Sequence, residues 1–128
     1  MPRFYNPAAM NAPFNPYTHG IEVQRDERLV FFSGQVGADA SGAIKPDFEG
    51  QIRQIYANIE IILADADMAL SDLAKLTTYL VSRDDLDDMR RLRAEILGDH
   101  KPGHTLLLIS GLAYPEFRIE VEGFAAKA

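Results

Sequence analysis

The chain has no cysteine and no tryptophan among its 128 residues. Without cysteine, disulfides, thiolate nucleophiles and thiolate metal ligands are excluded. Positive charge is also scarce. Thirteen Lys and Arg face 19 Asp and Glu, for a formal net charge of −6. Nucleic-acid binding draws on clustered Lys and Arg, so the balance argues against a DNA or RNA module. No apolar run approaches the ~18 residues of a membrane-spanning helix. The first residues, Met1 to Pro7, lack the apolar core of a signal peptide, and a cytoplasmic protein is expected. Glycines occur at Gly34 and Gly37, but their spacing matches neither a Walker A loop nor a dinucleotide-binding fingerprint, and a turn or bulge at a sheet end is the plainer reading.

What remains suits one compact domain over 1–128. Residues 1–19 carry Pro2, Pro7, Pro13 and Pro16, too many breakers for a regular element. Phe4, Tyr5, Phe14 and Tyr17 make a disordered tail equally unsuitable, so this stretch reads as an arm packed on the domain. Ile21–Val23 and Arg28–Ser33 read as a strand pair joined by a hairpin turn. From Asp47 to about Ala64, Phe48, Ile52, Ile55, Ile59, Ile62 and Leu63 recur at helical spacing, with Asp47 suited to the N-cap. Leu73–Val81 is rich in β-formers. Asp85–Leu97 is a second helix, capped by Ser82 or Asp84 and stopped at Gly98. Leu106–Ile109 and Phe117–Phe124 close the chain as a pair of strands joined by a turn-rich connection. The order β-β-α-β-α-β-β favours an α+β fold, with two helices packed on one face of a sheet. Leu106–Ile109 is apolar throughout, so both its faces should be buried, and a partner subunit is the candidate for the side that helices do not cover.

Candidate chemistry is concentrated near the C-terminus. His104 precedes the first closing strand, and Glu120 and Glu122 share one face of the second, with Arg118 as their neighbour. A carboxylate in a central strand is costly unless it has a partner or a task, and an upward-shifted pKa would let Glu120 hold or activate a water. Arg90, Arg91 and Arg93 follow four aspartates on the second helix, an order that complements the macrodipole and reads as a solvated face. His100, His104 and Asp99 could be drawn together as a metal site, but the loop spacing does not set the histidines on one helix face. Ser33, His19 and an aspartate could likewise be drawn as a triad, without any nucleophile-elbow context.

Several stretches resemble the Rid family, whose members are often labelled RidA-like or endoribonuclease L-PSP. They are the Pro16-Tyr17 arm, Val30 to Gln35, Gln54 to Ile59, Lys75 to Leu80, the acidic start of the second helix, and Ile119 to Ala125. The resemblance implies a chorismate-mutase-like α+β fold assembled as a homotrimer, with a small-molecule cleft at each subunit interface. It implies hydrolysis of reactive imines and enamines to 2-keto acids and ammonia, with no metal and no organic cofactor. It implies Glu120 as the residue that positions water, and Tyr17, Ser33 and Gly34 as cleft lining. One position departs from the pattern. Where the family's carboxylate-clamping arginine is expected, the chain reads Pro102-Gly103-His104-Thr105. Arg90 falls where an asparagine is common. Three consequences follow as expectations: a less anionic ligand, acid–base work by His104 on another C–N compound, or Arg90 restoring the charge. The alternative to a hydrolase with altered specificity is a trimer that binds a small molecule without turning it over. A ribonuclease stands third.

Overall fold

The computed structural model describes residues 1–128. Its core is built on a helix, α1 (Phe48–Asp65), which starts where the sequence supplies a cap: the Asp47 carboxylate accepts a hydrogen bond from the Gly50 N–H at 2.9 Å. Phe48, Ile52, Ile55, Ile59 and Leu63 follow at helical spacing and are all buried. A second helix, α2 (Leu86–Leu97), follows a 3₁₀ turn at Arg83–Asp85, whose entry is capped by Ser82 Oγ on the Asp84 N–H. It stops at Gly98, where φ is +60°, a conformation that glycine adopts without a Cβ penalty.

The helices pack on one face of a four-stranded mixed sheet. Its strands are β3 (Arg28–Val36), β4 (Leu73–Leu80), β5 (Gly103–Leu108) and β6 (Ile119–Lys127), in the order β3-β6-β4-β5. β6 runs antiparallel to both neighbours, and β4 and β5 are parallel. Leu76, Thr78 and Leu80 of β4 and Ile119 and Val121 of β6 point to the helices and are buried. Lys75, Thr77, Tyr79, Glu120 and Glu122 therefore point to the other face, which no helix covers. The expected α+β architecture is the one observed.

Two pairings differ from the expectation. The strand after the arm, β2 (Gly20–Glu22), does not form a hairpin with β3; it pairs with β1 (Arg3–Tyr5), inside the proline-rich arm. A three-residue strand fits between Pro2 and Pro7, so the breakers bound an element instead of abolishing it. The two closing strands are not neighbours either. β4 lies between β5 and β6, because β5 returns through α2 as the parallel partner of β4. Strand limits also move: β5 begins at Gly103, so His104 lies within it, and β6 begins at Ile119.

The long β5–β6 connection is tied down by polar groups. The buried Gln51 side chain donates to the carbonyls of Lys45 (3.0 Å) and Glu116 (2.9 Å) and accepts from the Arg118 N–H (2.9 Å). Arg118 turns to Asp85, Nη2 to Oδ1 at 2.5 Å, and so does not accompany the glutamates.

A candidate active site in two halves

One half lies between the arm, α2 and the edge strand β5. A cleft of about 310 Å³ is lined by Phe14, Asn15, Tyr17, Met89, Arg90, Arg93, His104 and Leu106. His104 pairs with Leu76 in register, so its ring turns to the helix side. There it meets two partners. The Arg93 guanidinium donates to Nδ1, and the other ring nitrogen lies 2.8 Å from Thr78 Oγ1. A guanidinium only donates, so Nδ1 is the acceptor and the ring proton sits on Nε2, directed at Thr78. Burial, together with the charges of Arg93 and Lys75, depresses the His104 pKa to about 3. His104 is thus a neutral imidazole at pH 7, and both ring nitrogens are occupied.

Arg93 is the residue that sequence reasoning passed over. The run Arg90, Arg91 and Arg93 reads as a solvated face, yet Arg93 is only 3% exposed. Its spacing carries the signal: Arg93 lies four residues after Met89 and seven after Leu86, on the buried stripe of α2. Besides His104, it reaches the Pro16 carbonyl at 3.4 Å. Burial and the neighbouring Arg90 hold its pKa below the usual arginine range. Arg53 and Arg91 have carboxylate partners; Arg93 and Arg90 have none.

The other half lies on the uncovered face. β3 is bulged between Phe32 and Gln35, which sets Ser33 and Gly34 apart from the regular ladder. The Glu120 side chain lies over Gly34, and a Cβ there would come within 2.5 Å of Glu120 Oε2. Only glycine leaves room for that carboxylate. Burial, and then Glu122, push the Glu120 pKa upward. Glu122 accepts from the Tyr79 hydroxyl at 2.5 Å. Lys75 donates to Thr105 Oγ1 (2.8 Å) and has its pKa lowered by burial. A second depression, of about 390 Å³, is lined by Phe31, Phe32, Ser33, Lys75, Thr77, Glu122, Gly123 and Phe124.

The structure therefore gathers Tyr17, Arg90 and His104 on one side of the sheet, and Ser33, Gly34 and Glu120 on the other. Within one chain these two groups do not meet. The remaining histidines are engaged separately: His100 with the Leu73 carbonyl (2.7 Å) and His19 with the Asn11 carbonyl (2.9 Å). Neither joins His104 or Ser33 in a shared site.

Comparison with known proteins places the chain in a family. Residues 8–127 match the profile of the family described as Endoribonuclease L-PSP. The chain belongs to the Rid family. A RutC family protein of Pyrococcus horikoshii is 32% identical over 117 residues, covering 90% of each chain. A 2-iminobutanoate/2-iminopropanoate deaminase of Salmonella typhimurium is 25% identical over 126 residues, covering 94% of this chain and 95% of its own. Among solved structures, a Rid family protein of unknown function from Yersinia pestis superposes with a TM-score of 0.84 at 27% identity, covering 98% of both chains. The Rid fold is thus present nearly end to end, and no helix is long and apolar enough to cross a membrane.

Proposed function

We propose that this Rid protein is a cytoplasmic hydrolase of a small imine, enamine or related C–N compound, working as a homotrimer with its cleft between subunits. The observation that carries the reading is Glu120, a carboxylate with a raised pKa held over the Gly34 backbone on an uncovered sheet face. A water beside it would lose a proton to Glu120 as its oxygen attacks the C=N carbon. Glu120 would return that proton to nitrogen, giving a carbinolamine, and would then carry the hydroxyl proton to the same nitrogen, so that the C–N bond breaks and ammonia leaves as the carbonyl forms. Ser33 and Gly34 line that side. Tyr17, Arg90 and His104 of an adjacent subunit face the substrate from the other. The trimer draws support from the uncovered face itself, where Phe31 is 70% exposed and stacks on Phe124, and from β5, where Leu107 is 44% exposed. The deaminase relative supports the reaction class.

The test is decay of 2-iminopropanoate generated in situ by an amino-acid oxidase. The wild type accelerates it. No acceleration, with rescue by His104→Arg, would overturn the reading for imines derived from amino acids. One observation favours the second reading, a binding protein without turnover: His104 has no free ring nitrogen and no proton to exchange near neutral pH.

A further inference from the structure

We propose that Tyr79 and Glu122 are positioning residues for Glu120: the Tyr79 hydroxyl holds the Glu122 carboxylate on the β4 side, where it acts on Glu120 as a fixed negative charge and does not share its proton. The proposal rests on reading Glu120 as the base and adds what sets its basicity. Strand alternation puts Glu120 and Glu122 on one face of β6, roughly 7 Å apart along the backbone. Flexible side chains at that spacing can meet through one shared proton, or stay apart as a base and a neighbouring charge. The flanking strands decide between the two. Glu120 leans to β3, where its carboxylate lies over Gly34. Tyr79 of β4 stands opposite Glu120 in register, and Thr77 stands opposite Glu122. From there Tyr79 reaches diagonally and donates to Glu122 Oε1 at 2.5 Å. The two carboxylates are thus drawn to opposite neighbouring strands.

The other charges around the pair leave this arrangement in control. On β4, Lys75 donates to Thr105 Oγ1 (2.8 Å) and to the Leu76 carbonyl (3.1 Å), and it makes no ion pair with either glutamate. Beside Glu120, β3 carries Ser33, Gly34, Gln35 and Val36, none of which titrates. β5 brings Thr105 to this face, while its His104 turns to the helices. In the proposed trimer Arg90 of an adjacent subunit would face Glu120 as well. Tyr79 is suited to its task because the bond to Glu122, ahead of burial, raises its pKa, so it stays a hydroxyl donor. Glu122 is in turn the second cause, after burial, of the raised pKa of Glu120.

Carboxyl carbon shifts of the full chain, followed by NMR against pH, test this without turnover. The Glu120 signal is the one lost in Glu120→Gln. In Glu122→Gln the neighbouring charge is gone. Glu120 should then titrate at lower pH, and its ratio of ionised to protonated form at a fixed pH should rise about threefold or more. In Tyr79→Phe the Glu122 carboxylate is released and can approach Glu120. Glu120 should then titrate at higher pH, and the same ratio should fall by about threefold. The double variant should match Glu122→Gln, because Tyr79 acts through Glu122. For 2-iminopropanoate, the acid limb of kcat should move with the Glu120 titration in each variant. Both substitutions keep the shape of the side chain, and the sign of either shift alone carries the test where the other variant does not fold. Shifts of one sign in both single variants, no shift in either, or a double variant equal to the sum of the singles would each overturn the proposal. If the titrations move as expected but no imine is hydrolysed, only the hydrolase reading fails. If imines are hydrolysed through Glu120 while both variants leave its titration unchanged, only the present proposal fails.

Discussion

The two faces of the sheet handle their titratable groups in opposite ways. On the helix side, His104 is enclosed by Arg93 and Thr78 and held neutral with its pKa pushed down to about 3. On the uncovered side, Glu120 is only partly enclosed and its pKa is pushed up. Burial is the first cause of both shifts, and it disfavours the charged form in each case. The functional consequence differs. A carboxylate moved upward becomes a better base near neutral pH. A histidine moved to about 3 ceases to be an acid or base and becomes a fixed hydrogen-bonding part. In the proposed reaction the chemistry would accordingly fall to the uncovered face, and the selection of ligand to the helix side.

That division can be broken by mutation. The largest expected effect is Glu120→Gln, which should lower kcat for imine hydrolysis by about a hundredfold or more while KM changes little. A raised KM with kcat intact would reverse the assignment of the two faces. Gly34→Ala comes next. Its Cβ would displace the Glu120 carboxylate, a flexible side-chain end that can swing aside, so kcat should fall about tenfold with little loss of stability, read from paired kinetics and thermal melts. An unchanged kcat would show that the carboxylate need not sit over that backbone.

The pH responses sharpen the comparison. A base with a raised pKa is active only when ionised, so the acid limb of kcat should lie above the ordinary glutamate range and vanish in Glu120→Gln. The stability contributions run in opposite directions. The folded pKa of His104 lies below its unfolded value, so its contribution is present above about pH 6.5 and is lost as pH falls toward 3. The folded pKa of Glu120 lies above its unfolded value, so its contribution is present at low pH and is lost as pH rises through the folded value. By NMR, the His104 ring signals should stay flat down to about pH 4, and titration near pH 6.5 would refute the enclosed, neutral ring. The smallest effect is on the stability of Glu120→Gln at pH 7, which should rise slightly because a carboxylate disfavoured by burial is removed.

Much of the fold was legible in the sequence. The stripe from Phe48 to Leu63 and its Asp47 cap define α1, and Ser82 and Gly98 bracket α2, because local periodicity and capping chemistry are carried by neighbouring residues. The pairing of β1 with β2, and the insertion of β4 between β5 and β6, were not legible, since strand partners are chosen by long-range packing that no local pattern records. The candidate site divides the same way. Glu120 stood out as a carboxylate in a strand of apolar alternation. Arg93 did not, because two other arginines beside it suggested a solvated face, although its place in line with Leu86 and Met89 marked it as buried. That Tyr17, Arg90 and His104 lie across the sheet from Ser33, Gly34 and Glu120 follows from β-strand register, which the sequence leaves open.

The central claim is that a working site takes one half from each of two subunits, and complementation tests it most directly. Glu120→Gln spoils one half, and Tyr17→Ala combined with Arg93→Gln spoils the other. Each variant alone should be nearly inactive. Co-refolded in equal amounts into mixed cyclic trimers, they should regain about a quarter of the wild-type rate, because about one interface in four would join two intact halves. Activity that stays at the average of the two parents, with mixed trimers shown to have formed, would contradict the account.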